Sequence, residues 1–218
     1  MALKKSFLDE FVKATEFAAY GASPYIGKEN KTAADQGAVD MMRGMLNKIE
    51  MKATIVIGEG EMDEAPMLHI GEKVGTNNGS ELDIAVDPLE GTTFTSKGLP
   101  NAFSVLAVAE KGNLLSAPDT YMEKIIIGTN LPKNLLDLDN SVKKNILLLA
   151  EAKKKKPSEL NACVMKRSRH DHIIKILISL GVNINFITDG DIAGGLTVIG
   201  DNPKNDIYIS TGGAPEGV

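Results

Sequence analysis

Near the amino terminus Phe7, Leu8, Phe11, Val12, Thr15, Phe17 and Ala18 recur at helical spacing, with Asp9, Glu10, Lys13 and Glu16 between them. That pattern predicts an amphipathic helix, ended by Gly21 and Pro24. A second helix is expected from about Thr32, carrying Val39, Met41, Met42, Met45 and Leu46 on its apolar side. A methionine stripe of this kind fits a packed core better than a cofactor pocket. Short apolar runs then follow at 53–57, 82–86, 103–109 and 124–127, bounded by glycines, prolines and acidic turns, and these are expected to form one sheet.

From about residue 139 the rhythm changes. Helix is expected over 141–154, 172–180 and 192–198, alternating with strand over 160–165, 182–187 and 206–209. The chain is therefore read as α/β, with an α+β amino-terminal domain over 1–138 and an α/β domain with parallel strands over 139–218. The run Lys153-Lys154-Lys155-Lys156 before Pro157 fits a solvated helix end favoured by the helix dipole.

Composition narrows the function classes. With 218 residues, 43% of them hydrophobic, the chain can bury one large core or two small ones. A net charge of −5, from 24 Lys+Arg against 29 Asp+Glu, gives no broad basic surface for nucleic acid. No apolar run approaches the ~20 residues that span a bilayer, and no signal core follows the amino terminus, so neither nucleic acid nor membrane is expected as a partner and the location is expected to be cytoplasmic. The one cysteine, Cys163, lies in an apolar run and reads as a buried structural thiol. His69, His170 and His172 are too few for a histidine-rich zinc site.

The chemistry concentrates where strands end. Asp87-Pro88-Leu89-Glu90-Gly91-Thr92 places two carboxylates three residues apart just after an apolar strand, then a glycine and a hydroxyl. Carboxylates offer the hard oxygen donors that Mg²⁺ or Mn²⁺ prefer, and a glycine N–H can approach an anion closely. An upstream turn, Gly58-Glu59-Gly60-Glu61-Met62-Asp63-Glu64, is also acidic. Either turn alone also suits plain solvated loop. Together, crowded like charges point to cations between them. Asp35 is a further candidate ligand or a helix-start residue; Glu61, Asp63 and Glu64 are candidate bases; Thr92 can bond water or phosphate, or cap a helix.

Opposite charge comes later, in Lys166-Arg167-Ser168-Arg169-His170-Asp171, which opens a helix and suits an anion or a solvated basic loop. Asp189-Gly190-Asp191 opens the next helix, where carboxylates suit sugar hydroxyls. Gly58 and Gly60 lack a third glycine at position 63, so the dinucleotide fingerprint is not met.

Six ordered segments carry a resemblance along essentially the whole chain. They are 57–67, 83–92, 117–124, Arg169-His170-Asp171, Asp189-Gly190-Asp191 and 212–217. The Asp87–Thr92 turn resembles the metal motif of the inositol-monophosphatase-like, lithium-sensitive phosphatases, and the wider pattern resembles class II fructose-1,6-bisphosphatase. That resemblance implies a layered α-β-α-β-α sandwich, Mn²⁺ or Mg²⁺ as cofactor, and dimers or tetramers. It implies hydrolysis of the 1-phosphate of fructose 1,6-bisphosphate to fructose 6-phosphate and phosphate, a step of gluconeogenesis. Asp35, Glu59, Asp87, Glu90 and Glu216 would be metal ligands. Glu59, Asp63 and Thr92 would form the catalytic group. Glu90, Gly91, Thr92, Tyr121, Arg167, Ser168, Arg169, Asp189, Gly190, Asp191 and Gly213 would contact the substrate.

The chain departs from the family pattern in three places. Lys31-Thr32-Ala33-Ala34-Asp35 replaces Lys-Asn-Thr-Ala-Asp, and Arg167-Ser168-Arg169 stands where Lys-Pro-Arg is common. Family members also continue past the last glycine turn by about a small domain's worth of chain. An amino-terminal portion is therefore expected, with its last strand left as an exposed edge. Another sugar bisphosphate, an inositol phosphate, or a non-catalytic metal- or phosphate-binding role are the alternative readings.

Overall fold

The computed structural model describes residues 5–58, 68–115 and 120–214. The chain divides into two compact units, residues 1–119 and 120–217. In the first, α1 (Lys5–Ala22) and α2 (Lys31–Leu46) pack together and against a four-stranded sheet. Its strands are β1 (Met51–Ile57), β2 (Lys73–Val74), β3 (Ser80–Glu90) and β4 (Phe103–Glu110), in the order β2-β1-β3-β4. β3 runs parallel to β1 and antiparallel to β4.

The seam of α1 is narrower than its apolar pattern. Phe7, Phe11, Ala14 and Ala18 join the core, whereas Leu8, Val12 and Phe17 are exposed. Small residues win because the helices cross closely. A Cβ on Gly21 would collide with the Gly37 carbonyl, and one on Gly37 with the Gly21 carbonyl. On α2, Val39, Met42 and Leu46 are buried, while Met45 packs only partly against the same core. In β1 and β3, Met51, Ala53, Ile55, Leu82, Ile84 and Val86 complete that core, following the period of two along a strand.

The second unit contains β5 (Tyr121–Ile127), α4 (Val142–Ala152), β6 (Asn161–Met165), α5 (Asp171–Ser179), β7 (Asn183–Ile187), α6 (Asp191–Leu196) and β8 (Ile207–Gly213). The sheet order is β5-β8-β6-β7, with β6 parallel to both β7 and β8. Alternation along β6 serves two cores. Ala162 and Val164 meet Ile146, Leu149, Ile173 and Leu177 of α4 and α5, whereas Cys163 meets Tyr208 and Val198. Cys163 is thus the buried thiol expected, and burial raises its pKa, partly offset by a hydrogen bond with Thr197.

Several expectations change. Residues 124–127 do not join the first sheet; β5 pairs antiparallel with β8 from Tyr121 opposite Gly213 to Ile127 opposite Ile207. Apolar content marks a strand but not its partner. The division at 119/120 accordingly precedes the 138/139 boundary read from the rhythm of elements. β8 is no exposed edge, because β5 and β6 flank it.

Nor is the lysine run simply solvated. Lys153 Nζ lies 2.5 Å and Lys155 Nζ 3.1 Å from Asp206 Oδ1. Asn161 N–H donates to Asp206 Oδ2 at 2.8 Å. Burial opposes the Asp206 charge, but Lys153, the Asn161 N–H and Lys155 together hold its carboxyl below the usual range.

Candidate functional site

β3 ends in an irregularity that its sequence dictates. Pro88 has no N–H to give a ladder, and the pairing with β4 shifts register between Asp87 and Glu90. Asp87 Oδ1 accepts the Leu89 N–H at 3.0 Å, closing a side-chain turn across the proline. Glu90 is only 4% exposed. Gly91 then takes φ 81°, a left-handed conformation costly for any residue with a Cβ, and the chain enters α3 (Thr92–Lys97). Thr92 Oγ1 donates back to the Leu89 carbonyl at 3.2 Å. Its hydroxyl therefore braces the bulge and does not cap α3, whose N-cap is Gly91.

The start of α2 is drawn to this turn. Lys31 Nζ donates to Thr93 Oγ1 at 2.8 Å, and the Gly27 and Glu29 N–H groups donate to Thr95 and Ser96 carbonyls at 3.0 and 2.8 Å. Asn30 caps α2, its Oδ1 accepting from Ala33 N–H at 3.0 Å. Asp35 is thus not the helix-start residue; it sits a turn inside, half-buried.

Asp35, Asp87 and Glu90 each offer carboxylate oxygens, the donor type a hard divalent ion takes, but the structure does not bring the three together as a metal-holding group. Among the described residues no group of three or more His, Cys, Asp or Glu side chains could hold a metal ion. The other expected ligands, Glu59 and Glu216, lie outside the described residues, as do Asp63, Glu61 and Glu64.

The second unit gathers the remaining candidates at the carboxyl ends of its parallel strands, where α/β sheets take ligands. Arg167 and Ser168 are exposed, Arg167 extended and Ser168 opening a single 3-10 turn. Arg169 is half-buried, its guanidinium 4.8 Å above the Tyr121 ring and its Nε donating to the Thr211 carbonyl at 2.6 Å. Stacking and hydrogen bond together fix the direction of the charge.

Gly190 caps α6 in a left-handed conformation, with Asp189 half-buried before it. Asp191 is buried. Its Oδ2 lies 2.8 Å from Lys124 Nζ, and its Oδ1 accepts the Tyr208 hydroxyl. Lys124 also donates to the Gly213 carbonyl at 2.8 Å, so Asp191 anchors α6 to β5 and β8. Burial, and secondarily the Asp191 carboxylate, push the Tyr208 hydroxyl far above the ordinary tyrosine range. A Cβ on Gly212 would collide with Asp191, which explains the glycine there.

Lys124, Tyr208, His170 and Lys31 carried no site role in the reading of the sequence. One signal was present: Lys124 directly precedes the apolar run Ile125-Ile126-Ile127, a position where a buried cation must find a partner.

The molecule comprises two α/β units, each built on a four-stranded sheet, with the candidate residues named above lying near strand ends. The family model for bacterial fructose-1,6-bisphosphatase, glpX-encoded, matches residues 5–218, and the chain belongs to that family. Fructose-1,6-bisphosphatase 1 class 2 of Escherichia coli strain K12 is 45% identical over 216 residues, covering 99% of this chain and 64% of that protein. Fructose-1,6-bisphosphatase class 2 of Haemophilus influenzae is also 45% identical, covering 99% of this chain and 65% of its own. The chain thus spans less than two thirds of these relatives' length. An overlay on the extragenic suppressor from Pyrococcus furiosus, at TM-score 0.39 and 15% identity over 79% of this chain and 64% of that one, is too weak to argue from. No helix among the described residues is long and apolar enough to cross a membrane.

Proposed function

We propose that this chain forms the greater part of a metal-dependent phosphatase that hydrolyses the 1-phosphate of fructose 1,6-bisphosphate, releasing fructose 6-phosphate and phosphate in gluconeogenesis. The observation that carries this reading is the Asp87–Glu90 bulge running into the left-handed Gly91, set in a chain of this family. Asp35, Asp87 and Glu90, with Glu59 and Glu216, would hold Mn²⁺ or Mg²⁺. Such ions supply charge neutralisation to the phosphate and lower the pKa of water.

The chain's own groups supply the rest. Thr92, fixed through its hydroxyl to Leu89, orients the attacking water, and Asp63, with Glu59, accepts its proton. The water oxygen bonds to phosphorus as the bond to the sugar oxygen breaks, and that oxygen leaves as the hydroxyl of fructose 6-phosphate. Gly91 lets the backbone approach the reacting phosphate. Arg167, Ser168 and Arg169 hold the other phosphate, with Tyr121 supporting Arg169. Asp189, Gly190, Asp191 and Gly213 shape the sugar side. Action in the cytoplasm and assembly as a dimer or tetramer belong to the same reading.

The test is phosphate release from fructose 1,6-bisphosphate by the full-length protein with Mn²⁺ or Mg²⁺. Turnover should disappear in Asp87→Asn and on chelation. Hydrolysis of inositol monophosphate alone would overturn the substrate, and undiminished turnover in Asp87→Asn would overturn the metal ligand assignment.

A further inference from the structure

The pairing of β6 with β8 is short. Ala162 lies opposite Ile207 and Cys163 opposite Tyr208, and the ladder goes no further. Carried forward at the same offset, it would bring the Met165 carbonyl to face the Thr211 N–H. Instead the His170 ring stands between them. His170 Nδ1 lies 2.7 Å from the Met165 carbonyl oxygen, and the Thr211 N–H donates to His170 Nε2 at 2.9 Å. With the proton on Nδ1 the ring donates to the Met165 carbonyl and accepts the Thr211 N–H, and Nε2 also lies 3.1 Å from the Thr211 carbonyl oxygen, so both backbone polar groups of Thr211 face the imidazole. The ring is completely buried. It replaces one direct backbone hydrogen bond with two that run through the imidazole, so the strand ends stay apart without orphaned groups.

The held peptide matters because of what hangs on it. Thr211 presents its N–H to His170 and its carbonyl to Arg169 Nε. Tyr121, under the Arg169 guanidinium, pairs with Gly213 two residues further along the same strand. The imidazole, the Thr211 peptide, the guanidinium and the Tyr121 ring therefore form one connected stack.

We propose that His170 is a positioning residue: it wedges β6 and β8 apart and, by gripping Thr211, aims the Arg169 guanidinium at an anionic group of the ligand. Its effect on turnover rests on the phosphatase reading above; its effect on Arg169 does not.

The full-length protein tests it with Arg169 Nε–H exchange by NMR and with steady-state kinetics on fructose 1,6-bisphosphate. His170→Asn can still donate to Met165 but falls short of Thr211. It should speed Arg169 Nε–H exchange by about tenfold and raise KM by about tenfold, with a smaller fall in kcat, as expected for losing one fixed charged contact. His170→Gln places an acceptor near the Nε2 position and should restore both towards wild type. Wild-type Arg169 exchange in His170→Asn overturns the proposal, as does His170→Gln no better than His170→Asn. If wild type does not hydrolyse the bisphosphate, the phosphatase reading fails, and the exchange rates still decide the role of His170.

Discussion

Lys124 Nζ lies 2.8 Å from Asp191 Oδ2 inside the second unit, with 8% and 7% of the two side chains exposed. Removing one partner of a buried pair leaves the other charge without compensation, at a cost of about 3–5 kcal/mol. Lys124→Met should therefore destabilise the second unit by about that much in urea unfolding. Adding Asp191→Asn should recover part of the loss. A strictly additive double variant would show that the pair is not coupled.

Tyr208 is held protonated by burial and by the carboxylate that accepts its hydroxyl. Spectrophotometric titration should find one of the four tyrosines silent until the chain unfolds in alkali. Tyr208→Phe removes the donor to Asp191 and should cost about 1–3 kcal/mol. Ionisation of every tyrosine in the folded protein would contradict the assignment.

Asp206 ties the lysine-bearing end of α4 to the start of β8. Its carboxyl is held below the ordinary value, so the folded state binds this proton less readily than the unfolded chain. The stabilisation is complete above the unfolded value of about 3.9 and is lost as pH falls through the lower, folded value. Comparing acid unfolding of wild type and Asp206→Asn checks this. The variant should be less stable near neutrality, and the difference should shrink as acid is added. A difference independent of pH would assign the effect to packing.

Gly37 and Gly21 face one another where α1 crosses α2. Gly37→Ala should push the helices apart and destabilise the first unit, overpacking of this kind costing about 1–3 kcal/mol despite alanine's better helix propensity. Gly44, with no atom near its missing Cβ, is the control: Gly44→Ala should be neutral or stabilising in the same thermal melt. Equal effects at the two sites would remove the close-approach argument.

Most elements were legible because period and punctuation are local. The apolar run at 160–165 and the turn glycines marked elements or their ends, whereas Pro88 marked a bulge that β3 passes through to reach Glu90. Sheet membership was not legible, since Ile125, Ile126 and Ile127 would suit either sheet; pairing with β8 is a long-range choice. The same gap explains the lysine run: Lys153 and Lys155 look solvated until Asp206 is folded beneath them.

By itself the sequence determined the strand-end carboxylates of the Asp87–Glu90 turn, the basic loop at Arg167–Arg169 and the resemblance of the whole chain to a phosphatase family. Residue type and spacing suffice for those. Only the tertiary structure decided that Asp191 is anchored by Lys124 and Tyr208, and that His170 stands between Met165 and Thr211. Those roles depend on burial and on partners as far as 67 residues away along the chain, and a hydrogen bond takes its meaning from what lies beside it after folding.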